Sequence, residues 1–218
     1  MKKENEKRFF KCLKETIGDK YIKDKVCKDD IFLSKKYTEY SFEDEVNKVY
    51  QIILTRFKCV YEDISAASLA HCIDGMIINH PTLHTRIVEY DEEQHFTTLR
   101  KDSIETMKSL FNLSFYNSYI KICNDKKYEV SVQNKLKSKK GYSKEVKGFP
   151  YENGRMAQRA YYDLLRDTAH LSKKNYNLSP LIRFSQYEFE QHFSLNFKQI
   201  TNSNIIQYIQ YKISKYGT

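Results

Sequence analysis

Two short apolar runs between Ile73 and Phe96 restrict the fold of this chain more than any other feature. IDGMII and RIVEYD each have the residue types of a strand, and NHPTLHT between them has turn residues from Asn79 to Pro81. Two strands that are joined by a short loop most simply form an antiparallel hairpin. We therefore expect a hairpin at the centre of the fold.

Acidic residues collect at the end of the second strand of this hairpin, in RIVEYDEEQHF. Because side chains alternate along a strand, Glu89 and Asp91 are predicted to share one face while Tyr90 points to the other. Strand pairing would bring Asp74 beside them. Three converging carboxylates repel one another unless a cation lies among them, and oxygen ligands of this kind suit Mg²⁺. The alternative is an acidic turn that is solvated.

The remaining pattern is mainly helical. Ser41 and Asp44 form a possible capping box before a helix whose apolar positions recur at helical spacing, and Ser103 is a second possible cap, for a helix from Ile104 to Cys123. Further helices are expected over 155–177 and from Ser203 onward, with a short strand in LSPLIRFSQ between them. The predicted fold class is α/β leaning to α+β: a single domain of residues 1–218 with a small mixed sheet that helices flank.

The chain is basic, with 37 Lys and Arg against 28 Asp and Glu, and therefore a formal net charge of +9. This charge favours a polyanionic partner, with nucleic acid first and an anionic membrane surface second. No run of about 18 apolar residues is present for a transmembrane helix, and the amino terminus lacks the apolar region of a secretory signal, so a cytoplasmic protein is expected. The five cysteines are scattered without a CxxC pair, which favours reduced thiols.

Residues 97–155 are predicted to be an insertion between core motifs, helical at first and then rich in lysine. The lysine run is either a solvated loop or a loop that grips phosphate, with Tyr142 available for stacking. Its candidate DNA-binding residues are Lys135, Lys137, Lys139, Lys140 and Lys144.

The string from Val88 to Phe96, VEYDEEQHF, resembles the "IEYDGEQHF" strand found in one branch of the PD-(D/E)XK nucleases, the branch that includes the Vsr-type repair enzymes. In that branch a later helix carries Arg-Asp and a strand ending in Ile-Arg follows. Arg166-Asp167 and Ile182-Arg183 match these two features. The resemblance covers less than a quarter of the chain, and Glu92 stands where glycine is usual.

The resemblance implies a role for each matching residue. Asp74 and Glu89 would bind the metal, and Asp91, which stands where the common lysine would be, would be a further ligand or would orient water. Gln94 and His95 would contact the scissile phosphate or assist proton transfer. Arg166, in the matching helix, would pair with an acid of the site or contact the DNA phosphate.

The expected function is therefore Mg²⁺-dependent hydrolysis of DNA phosphodiester bonds, with one or two ions and Mn²⁺ as a substitute. A Type II restriction endonuclease that acts on double-stranded DNA as a homodimer fits the size best. A homing or repair endonuclease and a non-catalytic DNA-binding descendant are the alternatives. A zinc site made of His71, Cys72, His80 and His84 fits no known ligand spacing, and an HNH nuclease site at Asn79-His80 lacks its ββα context.

Overall fold

The computed structural model of the chain describes residues 2–24, 26–65, 69–70, 73–125 and 144–216. These residues form seven α-helices and one four-stranded sheet. The helices are α1 (Lys2–Ile17), α2 (Asp44–Arg56), α3 (Thr98–Met107), α4 (Tyr116–Asn124), α5 (Gly154–Thr168), α6 (Gln186–Phe193) and α7 (Asn202–Ile213). The strands are β1 (Ile22–Lys23), β2 (Gly75–His80), β3 (His84–Asp91) and β4 (Ile182–Ser185).

The sheet has the order β1-β2-β3-β4, and it confirms the predicted mixed sheet with a central hairpin. β2 pairs antiparallel with β3, with Gly75 opposite Val88, and the chain turns at residues 81–83. β4 lies parallel to β3 and places Arg183 next to Glu89. Parallel neighbours require a long crossover connection, and the segment that holds α3, α4 and α5 supplies it.

Helices cover both faces of the sheet. Tyr90 lies on the face that α1 and α7 cover, where its ring stacks on Phe9 with centroids 5.0 Å apart. Met76 and Ile87 lie on the opposite face, in the cluster that α2, α3, α4 and α5 complete. Glu89 and Asp91 point to this second face, where they contact side chains of α5 and β4, so the alternation predicted around Tyr90 is confirmed.

Two glycines allow close packing near the site. A Cβ atom on Gly75 would lie 2.6 Å from Cε1 of Phe10, so the absence of a side chain lets α1 approach the start of β2. A Cβ atom on Gly154 would lie 2.0 Å from the carbonyl oxygen of Phe149. The chain therefore enters α5 through a turn that only glycine permits at that position.

Several helix boundaries differ from the sequence-based predictions. α2 begins at Asp44 with Glu43 as its N-cap, and Ser41 has a φ of 56°, so the predicted capping box is wrong. Thr97 caps α3 by accepting from the backbone N–H of Arg100, and Ser103 lies buried inside the helix that it was expected to begin. The pattern of apolar residues specifies a face better than it specifies an end, because a cap depends on local backbone geometry.

The helical part of the predicted insertion contributes to the main core. Ile104 of α3 and Tyr116, Tyr119 and Ile122 of α4 are fully buried in the cluster that also holds α2 and α5. None of the helices among the described residues is long and apolar enough to cross a membrane. Cys12, Cys27, Cys59 and Cys123 are free thiols, and Cys72 lies outside the described residues.

Candidate functional site

The hairpin brings the carboxylates of Asp74 and Glu89 together, as its register requires. Asp74 immediately precedes β2, so it continues the pairing of Gly75 with Val88 and comes opposite Glu89. Its Oδ2 accepts a hydrogen bond of 2.9 Å from the backbone N–H of Tyr90. Burial raises the pKa of Asp74, and the negative charge of Asp91 adds to this increase.

Glu89 is the more deeply buried of the two acids, with 2 % of its surface exposed. Its Oε1 atom is buried and has no hydrogen-bond partner. Burial raises the pKa of Glu89 well above its ordinary value, even though the nearby Arg166 guanidinium acts in the opposite direction. A buried carboxylate oxygen without a donor is costly, so this atom is the one in the site most in need of a cation or a proton.

Arg166 links Glu89 to helix α5. Its Nε lies 3.2 Å from Oε2 of Glu89, and its Nη2 donates to Oδ1 of Asp163 at 2.5 Å. Arg166 as a whole residue is 6 % exposed. Of the two roles that the resemblance implies for Arg166, the structure shows pairing with an acid of the site.

Asp91 lies on the same face of β3 but is engaged by a different set of partners. Nη1 of Arg183 donates to both of its carboxylate oxygens at 2.8 Å, and the hydroxyl of Tyr119 donates to Oδ2 at 2.6 Å. Burial alone would raise the pKa of Asp91, but Arg183, His95 and the hydrogen bond from Tyr119 together outweigh it and hold this pKa below its ordinary value. Asp91 is therefore already neutralised by protein groups.

Arg183 also holds the inner part of α5 against the sheet. Its Nε donates to Oδ1 of Asp167 at 2.8 Å, and its Nη2 donates to the backbone carbonyl of Asp163 at 3.2 Å. Arg100 of α3 donates to the other oxygen of Asp167 at 2.6 Å. This buried network of carboxylates and guanidiniums joins β3, β4, α3 and α5 with nearly complete compensation of charge, which is the condition under which buried ions are tolerated.

His95 stands at the edge of this network. Its Nδ1 lies 2.7 Å from Oδ2 of Asp163 and 3.2 Å from Oδ1 of Asp91, while Nη1 of Arg159 donates to its Nε2 at 3.0 Å. A nitrogen between two carboxylates is the one that carries the proton, and a nitrogen that accepts from a guanidinium does not. The ring is thus oriented by α5 at both of its nitrogens.

Among the described residues, one group has three potential metal-ligand atoms within 4.8 Å of one another. It consists of Asp91, His95 and Asp163. The donor set does not fit a cation well, since both oxygens of Asp91 are bound to Arg183 and Nδ1 of His95 faces Asp163. A metal at this position would have to displace these partners. The oxygens of Asp74 and Glu89 suit a hard divalent cation better, because Oε1 of Glu89 has no competing donor.

The remaining predicted site residues are distributed as follows. Gln94 is buried and its amide donates to Oε2 of Glu92 at 3.2 Å, and Lys144 is exposed. Four other residues of the predicted lysine run, together with Tyr142 and the His71 and Cys72 of the zinc alternative, lie outside the described residues. The lysines concerned are Lys135, Lys137, Lys139 and Lys140. The assignment of Asp74, Glu89 and Asp91 as a common Mg²⁺ site stays a prediction.

Sequence reasoning gave no role to Asp163, Arg183, Tyr119 or Arg159, which complete the site. A signal existed for Asp163, because Asp163, Arg166 and Asp167 recur at spacings of three and four residues and therefore share one side of α5. No signal existed for Tyr119, which is 28 residues from Asp91 along the chain.

Two cavities are lined in part by residues of the candidate site. One cavity, of about 370 Å³, is lined by three lysines of α1 and by three carboxylates, so its charges balance; the charged residues are Lys7, Lys11, Lys14, Glu6, Asp24 and Asp74. On the side of α5, a second cavity of about 260 Å³ is lined by Lys35, Leu69, Arg155, Gln158, Arg159, Tyr162 and Arg166. Of these two cavities, the one beside α5 has the net positive lining among the described residues.

No protein-family model, curated protein or solved structure matches this chain.

Proposed function

We propose that this protein is a Mg²⁺-dependent endonuclease that hydrolyses phosphodiester bonds of double-stranded DNA. The observation that carries the proposal is the position of Asp74 opposite Glu89 in the register of the hairpin, with Oε1 of Glu89 buried and without a donor. These acids stand at the positions that bind metal in the nucleases that the VEYDEEQHF string resembles. A net charge of +9, with a basic cavity beside α5 that Arg166 shares with the site, favours the binding of a polyanionic substrate.

Asp74 and Glu89 would hold the ion, and Mn²⁺ would replace Mg²⁺ because the donors are oxygens. When bound, such an ion neutralises negative charge that develops on the phosphodiester during hydrolysis. Asp91 does not need to be a ligand in this scheme. Its ion pair with Arg183 anchors the strand that carries Glu89 to β4, and so keeps the acid in place.

His95 is the candidate proton acceptor. Asp163 fixes the proton on Nδ1, which leaves the lone pair of Nε2 directed at Arg159. If the guanidinium of Arg159 turns toward a phosphate, Nε2 becomes free to accept a proton from an attacking water. Orientation of an imidazole by a carboxylate on its other nitrogen is the arrangement that general-base catalysis requires.

The second candidate function is DNA binding without catalysis. It is favoured by one observation, the contact of Arg166 with Oε2 of Glu89, which neutralises part of the charge that a metal would otherwise neutralise. In this reading the ion pair replaces the metal and the fold retains only the basic surface. A site-specific restriction enzyme that works as a homodimer and a homing or repair enzyme remain the two forms of the catalytic proposal.

Plasmid cleavage tests the catalytic proposal. Supercoiled DNA is incubated with the protein and Mg²⁺, Mn²⁺ or EDTA, and we expect cutting only with a divalent ion. Glu89→Gln and Asp74→Asn should abolish cutting while DNA binding persists, and Glu105→Gln, at an exposed carboxylate of α3, is the matched control that should cut normally.

Discrete bands would indicate a site-specific enzyme. DNA that stays uncut with every divalent ion, together with tight binding, would establish the non-catalytic candidate instead. Normal cutting by Glu89→Gln would show that the metal site is elsewhere.

A further inference from the structure

Helix α5 carries three arginines and a tyrosine along one line of its surface, at the border of the buried network. Arg155, Arg159, Tyr162 and Arg166 follow one another at spacings of four, three and four residues, which places them along one line of the helix surface. All four line the 260 Å³ cleft described above, and Lys35 lines it as well. The described residues that line the cleft include no carboxylate.

This arrangement is unfavourable for an empty surface. Like charges four residues apart on a helix repel, so Arg155 and Arg159 repel each other in this narrow space, whereas the charge of Arg166 is already paired with carboxylates of the site. The positive charge of Arg159 is not neutralised by its contact with His95, because the partner atom is the imidazole Nε2 and not a carboxylate oxygen. Arg155 donates to the amide oxygen of Gln158, which is also uncharged.

The cleft is built into the site and is not a separate surface feature. Arg166 is 6 % exposed and belongs both to the cleft and, through Nε at 3.2 Å, to Glu89. Arg159 belongs both to the cleft and to His95. An anion in the cleft would therefore lie next to the carboxylate and the imidazole to which the proposed function assigns the chemistry.

We propose that this cleft is a phosphate-binding site formed by Arg155, Arg159, Arg166 and Lys35. Guanidinium groups suit the task, because their planar donor pairs match two oxygens of a phosphate group. Resting on the proposed nuclease function, we assign the bound group as a backbone phosphate adjacent to the one that is cleaved. Free phosphate presents the same oxygens, so it serves as the probe of the cleft itself.

The first measurement is titration of the full chain with inorganic phosphate in EDTA, followed through the ¹⁵N and ¹H resonances of the His95 imidazole. Because Arg159 donates to Nε2 of His95, phosphate that attracts Arg159 should shift the Nε2 resonance. Calorimetry on the same samples gives the affinity. Arg155→Gln with Arg159→Gln should weaken phosphate binding by about tenfold or more, since two charge-assisted donor groups are lost. Arg56→Gln removes one positive charge from an exposed position of α2 and should leave phosphate binding unchanged.

The second measurement is duplex DNA binding in EDTA, where no metal-dependent cutting occurs, as a function of salt. The double variant should bind duplex DNA less tightly than Arg56→Gln, and its salt slope should fall by about 1.8 because two phosphate contacts are lost. Loss of phosphate binding with unchanged DNA binding would overturn the assignment to the DNA backbone. Absence of both the His95 shift and any effect of the double variant would overturn the cleft itself.

These outcomes are separate from those of the plasmid assay. A protein that never cuts DNA but shows the phosphate-dependent shift of His95 retains the cleft and loses the nuclease function. A protein that cuts DNA and whose double variant binds phosphate and duplex DNA like Arg56→Gln retains the function and loses the cleft.

Discussion

Replacing Arg183 by methionine should destabilise the protein more than any other single loss of charge in the buried network. The guanidinium donates to both oxygens of Asp91, to Asp167 and to the carbonyl of Asp163, and it is fully buried. Removing one partner of a buried ion pair typically costs about 3–5 kcal/mol, because the remaining charge stays desolvated. Since two carboxylates lose their principal cation here, we expect the upper part of that range.

Urea unfolding at pH 7, followed by circular dichroism, measures this loss. With a slope of roughly 2.5 kcal/mol per molar urea, a loss of about 4.5 kcal/mol lowers the midpoint by about 1.8 M. Lys173→Met is the control, because Lys173 pairs with Glu43 where both side chains are 69 % exposed, and such pairs contribute about 0–1 kcal/mol. Arg183→Lys, which keeps the charge but loses the fork of donors, should fall between the two.

The effect should also depend on pH, with a sign that follows from the pKa shifts. The pKa values of Asp91 and Asp163 are lowered in the folded protein in spite of burial, by Arg183 and His95 for Asp91 and by His95, Arg166 and Arg183 for Asp163. Groups of this kind contribute stability above their unfolded pKa, about 3.9, and lose it as the pH falls through the folded pKa. The difference between wild type and Arg183→Met should therefore shrink below about pH 4. A loss below about 1 kcal/mol at pH 7, or one that does not change with pH, would refute the view that Arg183 compensates these carboxylates.

Two further predictions concern the same region. Tyr119→Phe removes the hydroxyl that donates to Oδ2 of Asp91 and leaves Arg183 in place, so thermal or urea unfolding should show a loss of about 1.5–3 kcal/mol, and an unchanged midpoint would contradict the hydrogen bond. His170 follows α5, and burial lowers its pKa to about 4, so the unfolded state binds more protons than the folded state between about pH 6.5 and 4. The free energy of unfolding should fall by up to about 3 kcal/mol as the pH decreases through that window. The urea midpoint of His170→Gln should depend less on pH than that of the wild type. If the two midpoints change equally with pH, His170 is not the group responsible.

Much of the fold could be predicted because its signals are local. The hairpin, the strand LIRF and the apolar face of α2 follow from residue types and periods of two and 3.6, and each is confirmed. The helix starts at Ser41 and Ser103 were wrong because a cap requires a particular backbone conformation at one residue, and several nearby residues can offer it.

The candidate site was predictable in part. The strand period placed Glu89 and Asp91 on one face, and the hairpin register brought Asp74 to Glu89. The sequence pattern could not show that Asp91 pairs with Arg183, because that contact joins residues 92 positions apart and depends on β4 lying parallel to β3. Whether a carboxylate faces a metal or a guanidinium depends on which neighbours the fold supplies.

The sequence by itself therefore determined which residues can approach one another within a hairpin and which side of a helix each residue occupies, since both follow from the repeat of the backbone. Only the tertiary structure decided how the charges are shared. Because α5 packs across β3 and β4, Arg183 pairs with Asp91 and Asp167, Arg166 pairs with Glu89, and Arg159 donates to His95. Electrostatic energies depend on distance and burial, and neither is encoded in a local pattern.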